Sequence, residues 1–170
     1  MTRPRIFPKE TLKVGWREWV RLPGLGVDAL KAKIDTGART SALHAWRIEP
    51  FRRGPDLWVR FEVHPLQRSE AKKVKCEARA IDERAVRNSG GQVERRYIIE
   101  TELTLGRVSW AIELALTNRD QMGFRMLLGR TALPKGVLIE PGRSFLAGPR
   151  PVKPGRKRGA AKSESRRALP

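Results

Sequence analysis

The sequence predicts an all-β fold. Short runs alternate apolar and polar residues with period 2, turn residues separate them, and only one segment carries a helical signature. Val14 to Leu22 and Val27 to Ile34 flank the turn Pro23-Gly24-Leu25-Gly26 and read as a hairpin. Leu57, Val59, Phe61 and Val63 alternate with Trp58, Arg60 and Glu62. Val74, Cys76, Ala78 and Ala80 alternate with Lys73, Lys75, Glu77 and Arg79. Tyr97 to Leu105 and Val108 to Leu116 flank Gly106-Arg107 and read as a second hairpin. Asn88-Ser89-Gly90-Gly91 marks a turn in mid-chain. The helical segment is Gly129 to Lys135, ended by Pro134. Many short strands with regular turns and no fixed-period repeat predict a sandwich or barrel.

The 170 residues suit one domain with a real core. No stretch approaches the ~18 uninterrupted apolar residues of a membrane span. Met1 to Glu10 has charge and proline but no apolar signal region. The single cysteine, Cys76, permits no intrachain disulfide and fits a reducing cytoplasm. Net charge is +18, of which Arg150 to Pro170 carries +7 and the rest of the chain +11. The expected organisation is an N-terminal arm over 1–12, a folded domain over 13–148 and a basic, disordered tail over 149–170. Such a tail is a solubilising extension or an attractor of phosphate backbones; the excess on the body suits an acidic partner or a solvated basic face.

The segment that carries chemistry is Ala32 to Ala42, where an apolar strand runs into Asp35-Thr36-Gly37. An aspartate at a strand end can meet a second carboxylate and share one proton with it, giving an acid and a base that act on water. Thr36 can hydrogen-bond across a dimer axis, Gly37 admits backbone close to the carboxylates, and Ala38 keeps the turn tight. Alone, Asp-Thr-Gly is also an ordinary strand-ending turn. Downstream, Phe124 to Leu133 holds Leu127-Leu128-Gly129-Arg130, two apolar residues followed by glycine and arginine.

The two segments, in this order with hairpins between, resemble a retropepsin half-site. From Val14 to about Phe145 the chain also resembles a narrower bacterial and archaeal family, long labelled ATP-dependent zinc proteases and now described as retropepsin-like aspartic endopeptidases. The matching stretches are Val14-Gly15-Trp16-Arg17-Glu18, Lys31 to Ala45, and Asn118 to Arg130. The resemblance implies a single-lobe closed β barrel with one short helix, and a cytoplasmic peptidase with Asp35, Thr36 and Gly37 as catalytic residues. It implies Ala38, Leu127, Leu128, Gly129 and Arg130 as site-supporting residues, with the glycine letting its strand pass close behind the Asp-Thr-Gly loop. Some family members are linked to ATP-grasp ligases that attach glutamates to protein tails.

The older label meets little support in the residues. No His-Glu-x-x-His is present, and His44, His64 and Cys76 match no standard zinc framework, so no metal is expected. No Gly-x-x-x-x-Gly-Lys-[Ser/Thr] is present and Gly24-Leu25-Gly26 lacks the rest of a dinucleotide fingerprint, so no nucleotide or other cofactor is expected. Cys76 lies mid-strand beside Val74 and Ala78 and reads as a buried, inert thiol.

With one Asp-Thr-Gly, the expected second carboxylate is Asp35 of another copy, in an isologous homodimer. Internal alternatives are Asp82, Glu113 and Asp120. The expected flap is the hairpin around Arg87, Asn88, Ser89, Gly90 and Gly91, whose Arg84, Arg87, Arg95 and Arg96 would draw an acidic peptide over the site. The leading functional reading is an aspartic endopeptidase acting on a peptide or protein, with acidic or glutamate-extended tails as its candidate substrates. The alternative is a non-catalytic module of the same fold that holds an acidic protein or a nucleic acid on its basic surface.

Overall fold

In a computed structural model, the protein is described over residues 11–67, 69–88, 90–118 and 123–152. Among the described residues ten strands form the architecture: β1 Lys13–Leu22, β2 Val27–Asp35, β3 Ala42–His44, β4 Trp46–Arg53, β5 Asp56–Val63, β6 Val74–Arg87, β7 Val93–Leu105, β8 Val108–Thr117, β9 Met126–Gly129 and β10 Leu138–Ser144. Their order is β10-β1-β2-β9-β3-β8-β7-β6-β5-β4, and β1 also pairs with β7. That extra pairing, Val20 with Leu105 and Arg21 with Thr104, closes β1, β2, β9, β3, β8 and β7 into a six-stranded barrel. Closure satisfies backbone groups that an open edge would leave unpaired.

The alternating runs bury their apolar faces as period 2 requires. Val59, Phe61 and Val63 are buried on β5, and Trp110, Ile112 and Leu114 on β8. Leu30, Leu43, Leu103, Leu105, Met126 and Leu128 are fully enclosed in the core. Each such side chain contributes roughly 1.5–3 kcal/mol by leaving water. Cys76 is buried among them, its Sγ 3.3 Å from the Leu25 carbonyl oxygen, and burial pushes its thiol up to about 12.

Two features differ from the sequence expectation. The helical segment is shorter than Gly129 to Lys135: Gly129 ends β9, and Arg130–Ala132 forms a 3-10 helix. Leu133 is already extended (φ −82°, ψ 139°) because the ring of Pro134 excludes helical backbone at the preceding residue. Pro23–Leu25 forms the other 3-10 turn, closing the first hairpin through Gly26 at φ 72°. Second, β3, β4 and β10 carry no period-2 signal. β3 is three residues long, and β4 and β10 are outer strands containing Pro50 and Pro141.

Gly15 and Glu18 explain part of the first matching stretch. A Cβ on Gly15 would lie 2.1 Å from the Arg143 carbonyl oxygen, so only glycine lets β10 run beside β1 there. Glu18 is fully buried, and its carboxylate accepts from the amides of Gly15 (2.9 Å), Leu146 (2.8 Å) and Ala147 (3.2 Å). The buried charge is therefore compensated by hydrogen bonds, as burial demands.

Candidate active site

Asp35 is the last residue of β2 and pairs in parallel register with Gly129, the last residue of β9. Its side chain is partly exposed, while Thr36 and Gly37 are exposed. Asp35 Oδ1 accepts from the amides of Gly37 (3.0 Å) and Ala38 (3.2 Å), and the Asp35 carbonyl accepts again from Ala38 (3.3 Å). The turn thus orients the carboxylate by its own backbone. A Cβ on Gly37 would lie 3.2 Å from Oδ1, so a side chain there would press on the acid.

The strand behind this loop fastens it. The Arg130 amide donates to Ala38 O (2.8 Å), and Arg130 Nη1 reaches Gly37 O (3.2 Å). Thr131 Oγ1 donates to Arg39 O (2.6 Å). The buried hydroxyl of Ser41 accepts from the Gly129 amide (2.9 Å). A Cβ on Gly129 would stand 2.9 Å from Ala38 O and from the Thr40 carbonyl carbon, so glycine is required where the strand crosses behind the loop. Leu128 is enclosed in the core beneath it and Leu127 is buried beside it. Buried Trp110 donates through Nε1 to Ala132 O at 2.8 Å and pins the following turn.

Facing the loop is the long β6–β7 hairpin. Between them lies a cleft of about 610 Å³ lined by Arg39, Thr40, Ser41 and Thr131 on one side and by Arg84 to Arg87 with Glu113 on the other. Asp35 itself stands outside this lining, at the start of the same loop. The hairpin tip is stitched by Asn88, whose N and Oδ1 pair with Gln92 O and N at 2.9 and 3.0 Å, with Gly91 at φ 81°. Ser89 lies outside the described residues, as does Asp120.

The charges of the hairpin differ from the sequence expectation. Arg84 pairs with Asp82 (2.6 Å) and Glu113 (3.1 Å), Arg95 with Glu83 (3.1 Å), and the buried Arg96 with Glu94 (3.2 Å). Hydrogen bonds from Arg84 and from the Glu83 amide hold Asp82 below the usual carboxylate range. Of the four arginines, Arg87 alone makes no ion pair among the described residues. Asp82 and Glu113, weighed above as internal partners of Asp35, are instead turned to Arg84. Sequence reasoning also passed over Ser41, Thr131 and Arg39. The available signal was Ser41, a hydroxyl at the edge of an apolar strand whose buried position demands a partner.

The remaining sequence candidates sit elsewhere. The rings of His44 and His64 stack on opposite sides of Trp46 in the order His44–Trp46–His64, with centroids 3.7 and 3.8 Å apart, and His64 Nε2 lies 3.5 Å from Glu62 Oε2. Among the described residues, no group of three or more His, Cys, Asp or Glu side chains is placed to hold a metal ion. No helix among them is long and apolar enough to cross a membrane.

Comparison with known proteins places this geometry in a family. A protein of unknown function from Legionella pneumophila shares the fold, with a TM-score of 0.68 at 24% identity, over 81% of this chain and 99% of that one. An alpha-L-glutamate ligase of Shewanella halifaxensis is 48% identical over 135 residues, 79% of this chain and 30% of the ligase. The corresponding ligase of Parasynechococcus marenigrum is 51% identical over 135 residues, 79% of this chain and 29% of the ligase. The chain thus spans under a third of the length of these relatives. The profile of the RimB-like family, described as retropepsin-like aspartic endopeptidase RimB, matches residues 13–150. The chain belongs to the RimB-like family of retropepsin-like proteins, and the name zinc protease finds no support in these comparisons.

Proposed function

We propose that the protein is an aspartic-type endopeptidase whose reactive centre forms when Asp35 of two copies meet across a two-fold axis. The observation that carries this reading is the Asp35 carboxylate itself. It is partly exposed at a strand end, is oriented by the Gly37 and Ala38 amides, and is braced from behind by β9. A pure scaffold has no need of a carboxylate so held.

Two such carboxylates in contact share one proton. The ionised one takes a proton from water as the oxygen adds to the peptide carbonyl carbon. The protonated one gives its proton to the carbonyl oxygen. Transfer of a proton to the amide nitrogen then breaks the C–N bond and leaves an acid and an amine. The β6–β7 hairpin closes over the peptide and excludes water.

The substrate class in this proposal is an acidic or glutamate-extended polypeptide. It is supported by the net charge of +18 and by relatives named glutamate ligase, which carry a region similar to this chain. Work alongside an ATP-grasp ligase, in a reducing cytoplasm, belongs to the same proposal.

The test is cleavage of a peptide library that includes glutamate-rich tails by wild type and Asp35→Asn, each with and without a zinc chelator. Cleavage lost in the variant and indifferent to the chelator is expected. Cleavage kept in Asp35→Asn overturns the proposal, and cleavage by none of the proteins moves the reading to a binding module.

A further inference from the structure

The cleft beside Asp35 contains guanidinium groups of unlike state. Arg84 is neutralised by Asp82 and Glu113. Arg39, on the Asp35 loop, and Arg87, at the end of β6, are exposed and make no ion pair among the described residues. They line the same cleft from two different elements, the Asp35 loop and the end of β6. Both backbones that carry them are fixed. Arg39 O is tied to Thr131 at 2.6 Å, and Arg87 adjoins the Asn88–Gln92 turn.

We infer that Arg39 and Arg87 are the specificity-determining pair of this protein, a clamp that reads carboxylate side chains of a peptide lying in the cleft, while Arg84 is a strut of the hairpin. A guanidinium presents a planar fork of donors that matches a carboxylate bidentately. An arginine already committed to Asp82 and Glu113 has little left to offer a third carboxylate. This rests on the reading of the Asp35 face as a peptide site. If two copies share that face, symmetry places one clamp on each side of the scissile bond. The preferred peptide then carries acidic residues on both sides of the cut.

The experiment separates this clamp from catalysis by measuring binding in the Asp35→Asn background. Fluorescence anisotropy would follow labelled peptides with glutamates on both sides of a central bond, on one side, or replaced throughout by glutamine. Arg39→Gln, Arg87→Gln and the double substitution are compared with Lys73→Gln, which removes an exposed charge outside the cleft. Circular dichroism confirms that each variant is folded. The expected result is a preference for glutamate over glutamine that falls about tenfold in each cleft variant and further in the double, but little in Lys73→Gln. The one-sided peptide is expected between the other two. Equal losses in Lys73→Gln and the cleft variants would mean that net charge alone attracts the peptide, and would overturn the clamp. No glutamate preference in the Asp35→Asn parent would overturn it as well. Failure of the wild type to cleave peptides that it nonetheless binds selectively refutes the peptidase reading and leaves the clamp standing.

Discussion

The wall behind Asp35 and the hairpin in front of it are built from different interactions. Behind the carboxylate, β2 and β9 meet through buried backbone pairing, the Ser41 hydroxyl and a glycine with no room for a methyl group. In front, β6 is exposed on both faces from Ile81 to Ala85, and its side chains are tied to neighbouring strands by surface ion pairs. Buried hydrogen bonds and close packing are rigid and insensitive to salt, whereas exposed ion pairs are weak and screened. The cleft therefore joins a carboxylate loop held by buried pairing to a hairpin whose side chains are held by exposed ion pairs.

The sharpest way to break this contrast is to add one methyl group to each region. Gly129→Ala is expected to lose ~3 kcal/mol of stability, because the new Cβ meets carbonyl atoms of the Asp35 loop that cannot yield cheaply. Gly91→Ala, at φ 81° with nothing within 4 Å, is expected to lose about 1 kcal/mol from backbone strain alone. Urea denaturation measures both, and equal losses would erase the distinction.

Deleting one polar partner in each region is a gentler comparison. Ser41→Ala strands the buried Gly129 amide and is expected to cost ~2 kcal/mol. Arg84→Gln on the hairpin is expected to cost under ~1 kcal/mol. The same urea experiment reads both.

Salt and pH give the smallest effects. Raising ionic strength should speed amide hydrogen exchange from Asp82 to Arg96 and leave Ala32 to Asp35 and Met126 to Gly129 unchanged. Equal acceleration in both regions would contradict the proposed difference. Asp82 titrates below the usual carboxylate range, so its contribution is present above the unfolded carboxylate value and is lost as pH falls through the lowered folded one. Hairpin exchange in wild type and Asp82→Asn should therefore differ near neutrality and converge in acid.

Much of the sheet was legible because its strands bury one face, which prints a period of two on the sequence. The runs at Leu57–Val63 and Val108–Leu116 are of this kind, and so are the halves of β6 and β7 that touch the core. The outer halves of β6 and β7 print no period of two, because most of Asp82 to Arg87 and Val93 to Arg95 meet solvent, and only the turn around Asn88 to Gly91 marked them as a hairpin. The Asp35 loop could be read from Asp35-Thr36-Gly37, yet its fastening could not. Ser41 with Gly129, and Thr131 with Arg39, are 88 and 92 residues apart, and nothing local marks them as partners. The charge on the hairpin was overread for the same reason: sequence counts arginines, but only geometry shows which are already paired.

The grip of Glu18 on Leu146 and Ala147 has a temporal meaning during synthesis. Those amides lie 128 and 129 residues beyond the carboxylate they satisfy. A growing chain lacks two of these donors until the segment that follows β10 has emerged. The parallel β1–β10 and β2–β9 pairings also join residues far apart in sequence, such as Lys13 with Leu138 and Ala32 with Met126, and such non-local closure is slow. The Asp35 loop is thus translated early and fastened late, because the residues that hold it, Gly129 to Thr131, lie 88 to 93 residues further along the chain.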